Sequence, residues 1–166
     1  AVSANLQPYS DPQEDKAVPD NPANTSAALL MEYANGVHGT LHASAATNLG
    51  NRGQEQRVEI AGSQGTITGV MDMFNPDRIS LSRRGEDEVE ELVVPERLWG
   101  DVDRSLSKFD QTLDFYKKMS VGPRLFVDTI QQNGPSDPSF RDGLHVQKVI
   151  AAALASHTSG RKVELG

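Results

Sequence analysis

Apolar and polar positions alternate in short runs through the first part of the chain, which is the two-residue period of a β-strand. Polar or glycine-bearing turns separate the runs, and most of these turns are too short to hold a crossover helix. The pattern therefore predicts antiparallel neighbours. The predicted strands cover residues 1–9, 26–34, 37–47, 56–61, 65–71, 78–83 and 89–94.

Two glycine-containing turns define the expected hairpins. Asn35-Gly36 predicts a type I′ turn, because both residues tolerate the positive φ that this turn requires. The sequence GSQG at residues 62–65 predicts a second hairpin turn. In the strand after Gly36, the two-residue period assigns Val37, Leu41, Ala43 and Ala45 to one face and His38, Thr40, His42 and Ser44 to the other.

Apolar residues recur at intervals of three and four in the last third of the chain, the spacing of an α-helix. The first predicted helix covers roughly residues 105–118. The second begins at Gly122-Pro123 and ends at Gly134-Pro135. The third is the longest, and its apolar stripe consists of Val146, Val149, Ile150, Ala153 and Leu154.

The long third helix has marked ends. Ser139 or Asp142 can accept hydrogen bonds from its first-turn N–H groups, and Gly160 can end it in the left-handed conformation. Gly143, in its first turn, indicates either close approach to a strand or a loose helix start. Residues 161–165 then predict a closing strand.

This order of elements predicts an α+β fold, a predominantly antiparallel (mixed) open sheet with helices packed on one face. A length of 166 residues fits a single domain over residues 1–166. Residues 10–25 are rich in Pro, Asp and Asn and predict a surface loop.

Composition narrows the classes of function. A net charge of -7 and a pI near 5.0 disfavour nucleic acid as a partner. No apolar run approaches the ~18 residues of a membrane span. The start of the chain has no signal-peptide pattern, and we expect that processing or cloning set this terminus. The absence of cysteine fits a reducing compartment, and we expect a cytoplasmic protein.

Familiar catalytic motifs do not occur in the sequence. It contains no G-x-G-x-x-G, no G-x-x-x-x-G-K-[ST] and no G-x-S-x-G. His38 and His42 are four strand residues apart, about 13 Å, which is too far for one metal ion. A metal-dependent enzyme using the four histidines is the weakest reading. The acidic residues 86–91 are interpreted as a solvated charged turn.

Two groups of residues are candidates for small-molecule contacts. Asn48, Asn51, Arg52 and Gln54 form a polar loop that could engage a hydroxyl-rich substrate, or could simply be surface. Trp99 and Tyr116 could stack on a sugar ring, or could be packing anchors.

Four stretches together resemble a known family. They are ALLMEYANGVHGTLHAS, VEIAGSQGTITG, GPRLFVDTIQQNG and SDPSFRDGLHVQKVIAAALASHTSGRKVEL. In order and spacing they are similar to the C-terminal domain of the glucose–fructose oxidoreductase, inositol dehydrogenase and MocA (Gfo/Idh/MocA) family of NAD(P)-dependent oxidoreductases. The resemblance spans residues 1–165 and ends with the pattern Ser-x-x-x-Gly-Arg-x-Val.

The resemblance implies a glyceraldehyde-3-phosphate-dehydrogenase-like C-terminal domain that supplies substrate contacts and oligomer surface. An N-terminal Rossmann domain would hold NAD or NADP and the catalytic lysine of an E-K-P motif. Neither that motif nor D-x-G-x-H-x-x-D occurs in residues 1–166. No catalytic or cofactor-binding residue is therefore assigned, and we expect no specific binding of NAD(H) or NADP(H) by this chain.

We therefore expect a domain that binds substrate and forms homo-oligomers through its sheet. The whole enzyme is expected to act on sugars, polyols or related hydroxy compounds. The domain's substrate-binding candidates are Asn48, Asn51, Arg52 and Trp99. The alternative is a freestanding, non-catalytic dimerisation or interaction module. A Rossmann-coding stretch directly upstream in the gene would favour the first reading, and an initiator codon at this point would favour the second.

Overall fold

A computed structural model describes residues 1–8, 24–50, 53–135 and 137–165. These residues belong to two compact units, one built from residues 1–48 and 137–166 and the other from residues 49–136. Most of the predicted surface loop, residues 10–23, lies outside the described part. No helix in the described ranges is long and apolar enough to cross a membrane.

The described elements follow the predicted order of strands before helices, as expected for an α+β fold. The strands are β1 (Val2–Pro8), β2 (Asn24–Glu32), β3 (His38–Ser44), β4 (Glu55–Gly62), β5 (Gly65–Asp72), β6 (Arg78–Arg83) and β7 (Val89–Leu92). A 3₁₀ helix spans Glu96–Leu98, and the α-helices are α1 (Lys108–Lys118), α2 (Pro123–Gln132) and α3 (Phe140–Ser159).

The first unit contains an antiparallel sheet in the order β1-β2-β3. The turn between β2 and β3 differs from the predicted type I′. Gly36 has φ 83°, whereas Asn35 does not have positive φ, and the Gly36 N–H donates to the Tyr33 carbonyl at 3.0 Å. This is a turn over residues 33–36 with one left-handed glycine, which gives a longer hairpin loop than a two-residue turn.

Helix α3 packs on β1 and covers the part of the apolar face that β1 and β2 form, whereas Leu41 on β3 is 46% exposed. The register places Leu29 opposite Leu41 and Ala27 opposite Ala43, so the predicted face assignment within β3 is correct. The core combines this face with small helix residues. It contains Val2, Ala152 and Ala153, with Ala4, Leu29, Met31, Val149, Val163 and Leu165 packed against them.

The predicted apolar stripe of α3 is wrong in its rotation about the helix axis. Val149 and Ala153 do pack in the core, but Val146, Ile150 and Leu154 are 55%, 46% and 47% exposed. The buried line instead includes Ala152 and Ser156. Small side chains let the helix backbone come close to β1, and this contact decides which face is buried.

The ends of α3 are as predicted. Ser139 is the N-cap, and it forms a capping box with Asp142 in which each side chain bonds the backbone N–H of the other. Gly160 ends the helix at φ 64°. Gly143 makes no close approach, since a Cβ added there would meet nothing within 4 Å.

The outer edge of β1 is closed by three acceptors from the end of the chain. The N–H of Val2 donates to the Val163 carbonyl at 2.8 Å, and the N–H of Ala4 donates to Ser156 Oγ at 3.0 Å. The N–H of Leu6 donates to His157 Nδ1 at 3.3 Å. The predicted strand over residues 161–165 is thus reduced to a single antiparallel bridge, Val2 to Val163.

The second unit contains an antiparallel sheet in the order β4-β5-β6-β7. The predicted GSQG hairpin is confirmed, with Gly62 paired to Gly65. Cross-strand pairing aligns Val58, Gly69, Ile79 and Leu92 on one face. The opposite face carries the aligned residues Glu59, Thr68, Ser80 and Glu91, so one face is apolar and the other polar.

Candidate functional site

The second unit contains a cavity of about 620 Å³, a volume in the range of small-molecule sites. It lies beside the apolar face of β6 and β7, represented by Ile79 and Leu92. Its other walls are the segment after β5, the segment after β7 and the start of α1. The lining residues are Phe74, Pro76, Asp77, Ile79, Glu91, Leu92, Val93, Val94, Trp99, Arg104, Leu106, Lys108 and Gln111.

Trp99 reaches this cavity from the end of the 3₁₀ helix. Pro95 precedes that helix with φ -57°, and the Trp99 N–H donates to the Glu96 carbonyl at 3.0 Å. Gly100 follows at φ 57°, a left-handed conformation that turns the chain immediately after the tryptophan. The local backbone thus fixes the position of the Trp99 Cβ and the direction in which the side chain leaves the chain.

Arg104 lies over the Trp99 ring, with its guanidinium carbon 4.8 Å from the ring centroid. Its Nη1 donates to Glu96 Oε2 at 2.6 Å. A cation at this distance is attracted by the ring quadrupole, and the ion pair adds a second restraint. One face of the indole is therefore occupied by protein.

The indole N–H of Trp99 is buried and has no hydrogen-bond acceptor among the described residues. A buried donor without a partner costs roughly 1–3 kcal/mol. Almost none of its surface is open to solvent, so a ligand acceptor would reach it only if a neighbouring side chain shifted. The donor that this wall offers to a ligand is therefore the Arg104 guanidinium and not the indole N–H.

The opposite charges of Lys108 and Asp77 meet at the same cavity, where the ammonium donates to the Asp77 carboxylate. Gln111 donates through Nε2 to the carbonyls of Leu106 at 2.8 Å and Arg104 at 3.2 Å. These bonds tie the segment before α1 to the first turns of that helix. They also leave the Gln111 amide oxygen able to accept a hydrogen bond.

A network of acidic residues stabilises the same segment. The Asp114 carboxylate accepts from Lys118 Nζ and from the Asp103 N–H, both at 2.8 Å. The hydrogen bond from Lys118 and then that from the Asp103 N–H lower the pKa of Asp114. The Ser105 hydroxyl and then the Ser105 N–H lower the pKa of Asp103. Both carboxylates therefore stay ionised and hold the chain next to Arg104.

Of the sequence-predicted site residues that the structure describes, Trp99 lines the cavity, and Asn48, Gln54 and Tyr116 do not. Asn48 lies in the exposed segment after β3, at the end of a stretch assigned to the first unit. Asn51 and Arg52 lie outside the described residues. Tyr116 is 59% exposed and makes an edge contact with Phe115, at 5.9 Å between ring centroids.

The polar residues Asp77, Arg104, Lys108 and Gln111 were not identified by sequence reasoning. Asp77 and Lys108 are separated by 31 residues, so no local motif announces their pairing. The sequence feature that pointed to this cavity is the aromatic residue Trp99, with the cation Arg104 five positions later. No group of three or more His, Cys, Asp or Glu suited to a metal ion occurs within the described ranges.

Comparison with known proteins gives one family and four similar solved chains, two of which are described below. Residues 1–165 match the family described as "Oxidoreductase family, C-terminal alpha/beta domain", the GFO_IDH_MocA C-terminal domain. No match was found among curated proteins.

An oxidoreductase from Agrobacterium radiobacter, solved in complex with NAD+, L-tartaric acid and magnesium, is 20% identical with a TM-score of 0.63. An oxidoreductase domain protein from Kribbella flavida is 22% identical with a TM-score of 0.66. Each alignment covers 99% of this chain, but only 43% and 45% of the respective solved chains.

The chain therefore spans less than half the length of these two similar structures, and the likeness shows the fold. The match over residues 1–165 shows the family directly. This chain belongs to the Gfo/Idh/MocA oxidoreductase family, as its C-terminal α/β domain.

Proposed function

We propose that this chain is the substrate-binding and oligomerisation part of an NAD(P)-dependent oxidoreductase that acts on a sugar, a polyol or a related hydroxy compound. The observation that carries the proposal is the family match over residues 1–165. The A. radiobacter relative, solved with NAD+ and the hydroxy acid L-tartaric acid, supports this class of reaction.

In the proposed reaction a hydride would pass between a carbinol carbon and the nicotinamide, and the hydroxyl proton would pass to or from a general acid/base that we also assign to the part outside residues 1–166. The reaction requires the cofactor to be held against the substrate carbon. The sequence contains no G-x-G-x-x-G cradle, so we assign cofactor binding to a Rossmann domain outside residues 1–166. The role proposed for this chain is to bind and orient the substrate.

The cavity beside Trp99 is the proposed substrate contact within the second unit. It combines apolar walls with a small number of fixed polar groups, the usual composition of a small-molecule site. Asn48, Asn51 and Arg52 remain proposed contacts from the polar loop.

The apolar face of the four-stranded sheet is the proposed oligomer surface. Val58, Ile60, Ile67 and Met71 on this face are 48%, 65%, 44% and 42% exposed. Contiguous exposed apolar side chains commonly mark protein interfaces, and a symmetric dimer would use the same face of both copies.

Substrate binding is tested by titrating the 166-residue chain with a panel of sugars, polyols and hydroxy acids. Trp99 is the only tryptophan, so its fluorescence reports directly on the cavity. We expect at least one member to shift the emission saturably. A panel without any saturable change would count against the cavity as a substrate contact.

Calorimetry with NAD(H) and NADP(H) tests the assignment of cofactor binding to another domain. We expect no specific binding to the 166-residue chain. Micromolar binding with defined stoichiometry would contradict that assignment.

The oligomer surface is tested by light scattering on two variants in adjacent positions of β5. Ile67 is on the apolar face and Thr68 on the polar one. We expect Ile67→Lys to reduce the mass to that of a monomer and Thr68→Lys, with the same change of charge, to leave it unchanged. A strictly monomeric wild-type chain at high concentration would refute the oligomer proposal.

A further inference from the structure

Four charged residues line the Trp99 cavity, two of them cations and two of them carboxylates. Arg104 and Lys108 bring two positive charges to the lining, and Asp77 brings one carboxylate, which is paired with Lys108. Glu91 is also in the lining, but it alternates with Leu92 along β7 and belongs to the polar face of the sheet. Its side chain is therefore directed away from the face that carries Leu92.

The carboxylate that balances Arg104 is weakly held. Glu96 is outside the lining of the cavity, and its side chain is 80% exposed. Exposed ion pairs are weak because water and salt screen them. The described contact to Glu96 uses only Nη1 of a guanidinium that has five N–H donors. Arg104 can therefore bind a second carboxylate, or exchange Glu96 for one.

We propose that the cavity binds a small hydroxy acid, with Arg104 as the residue that recognises its carboxylate. Guanidinium and carboxylate match in a two-bond fork, which selects acids over neutral polyols of the same size. The Gln111 amide oxygen is available to accept from a substrate hydroxyl. The inference rests on the proposed substrate-binding role of this cavity and narrows its substrate class.

The test compares two probes that share a six-carbon polyhydroxyl skeleton, sodium D-gluconate and neutral D-sorbitol. Binding to the full 166-residue chain is followed by Trp99 fluorescence and by calorimetry at fixed ionic strength. We expect gluconate to bind at least about tenfold more tightly than sorbitol, the size expected for a hydrogen bond to a charged group.

Three variants separate recognition from folding. Arg104→Gln is expected to weaken gluconate binding by about tenfold or more and to leave sorbitol binding within about twofold. Arg97→Gln removes a neighbouring arginine that does not line the cavity, and it should change neither. Glu96→Gln frees the Arg104 guanidinium, and gluconate should bind as tightly as before or more tightly. Because this last variant keeps Arg104 in place, it gives an answer even if Arg104→Gln fails to fold.

Equal binding of the two probes, unchanged by Arg104→Gln, would overturn the hydroxy-acid inference while leaving a substrate cavity in place. Weaker gluconate binding in Glu96→Gln would also overturn it, since it would show that the Glu96 carboxylate does not compete with the gluconate carboxylate for Arg104. If no hydroxy compound in the wider panel binds, the proposed substrate role itself fails, and the inference fails with it.

Discussion

Replacing Ser156 by alanine should destabilise the first unit, because its hydroxyl closes the edge of β1. Ser156 is 3% exposed, and its Oγ accepts from the Ala4 N–H at 3.0 Å. Alanine at this position leaves that N–H facing the helix without an acceptor. The substitution thus tests whether a helix side chain substitutes for a missing strand neighbour.

The magnitude follows from two opposing contributions. Leaving a buried N–H unsatisfied costs roughly 1–3 kcal/mol. Alanine is the better helix former by about 0.5 kcal/mol, which offsets part of the loss. The expected decrease in the free energy of unfolding for Ser156→Ala is therefore about 0.5–2.5 kcal/mol.

Ser159→Ala is the matched control, since Ser159 is exposed on the same helix and donates to the Ala155 carbonyl at 2.7 Å. We expect it to change stability by no more than about 0.5 kcal/mol. Urea denaturation followed by far-UV circular dichroism measures both, and hydrogen exchange of the Ala4 amide reports on the bond itself. Equal stabilities of the two variants, with the Ala4 amide equally protected, would refute the reasoning.

Two further predictions concern the ends of α3. Gly160→Ala should lower the free energy of unfolding by about 1 kcal/mol, because the backbone has φ 64° at this position. Gly143→Ala lies inside the helix with open space around it and should raise the free energy of unfolding by about 0.5–1 kcal/mol. Urea denaturation of both variants should therefore show changes of opposite sign. The Ser139 hydroxyl and then the Ser139 N–H lower the pKa of Asp142. The stability that this carboxylate adds is present above its ordinary pKa of 3.8 and is lost as pH falls through the lower folded value. Asp142→Ala should therefore be less stable than the wild type at pH 7, with a difference that shrinks in acid; a pH-independent difference would contradict this.

The secondary-structure elements can be predicted from the sequence, because the hydrophobic period and the turn-forming residues are local features. The strands β4, β5 and β6 and the caps of α3 follow from alternation, from glycine and from Ser139. The turn type at Asn35-Gly36 does not, since the residues permit positive φ without requiring it.

The rotation of α3 and the cavity could not be predicted, because both depend on contacts between distant residues. Periodicity selects the large residues Ile150 and Leu154, but close packing on β1 selects Ala152 and Ser156. Trp99 was identifiable as an aromatic candidate. Its neighbours in the cavity come from separate strands, turns and α1, and an ion pair formed across 31 residues has no signature in the sequence.

The structure also explains what the family resemblance measures. In the pattern Ser-x-x-x-Gly-Arg-x-Val, Ser156 accepts from β1, Gly160 ends α3 in the left-handed conformation, and Val163 bridges to Val2. Each of these roles is structural.

The residues that line the cavity lie between 74 and 111. The second of the four family-like stretches ends at residue 69, and the third begins at residue 122. The four quoted stretches therefore leave out the part of the chain that builds the candidate site, although the family model matches residues 1–165 as a whole. The substrate class within the family therefore has to be inferred from the groups that line the cavity. Arg104, with its exposed and replaceable partner Glu96, is the group whose chemistry discriminates most between an acid and a neutral sugar.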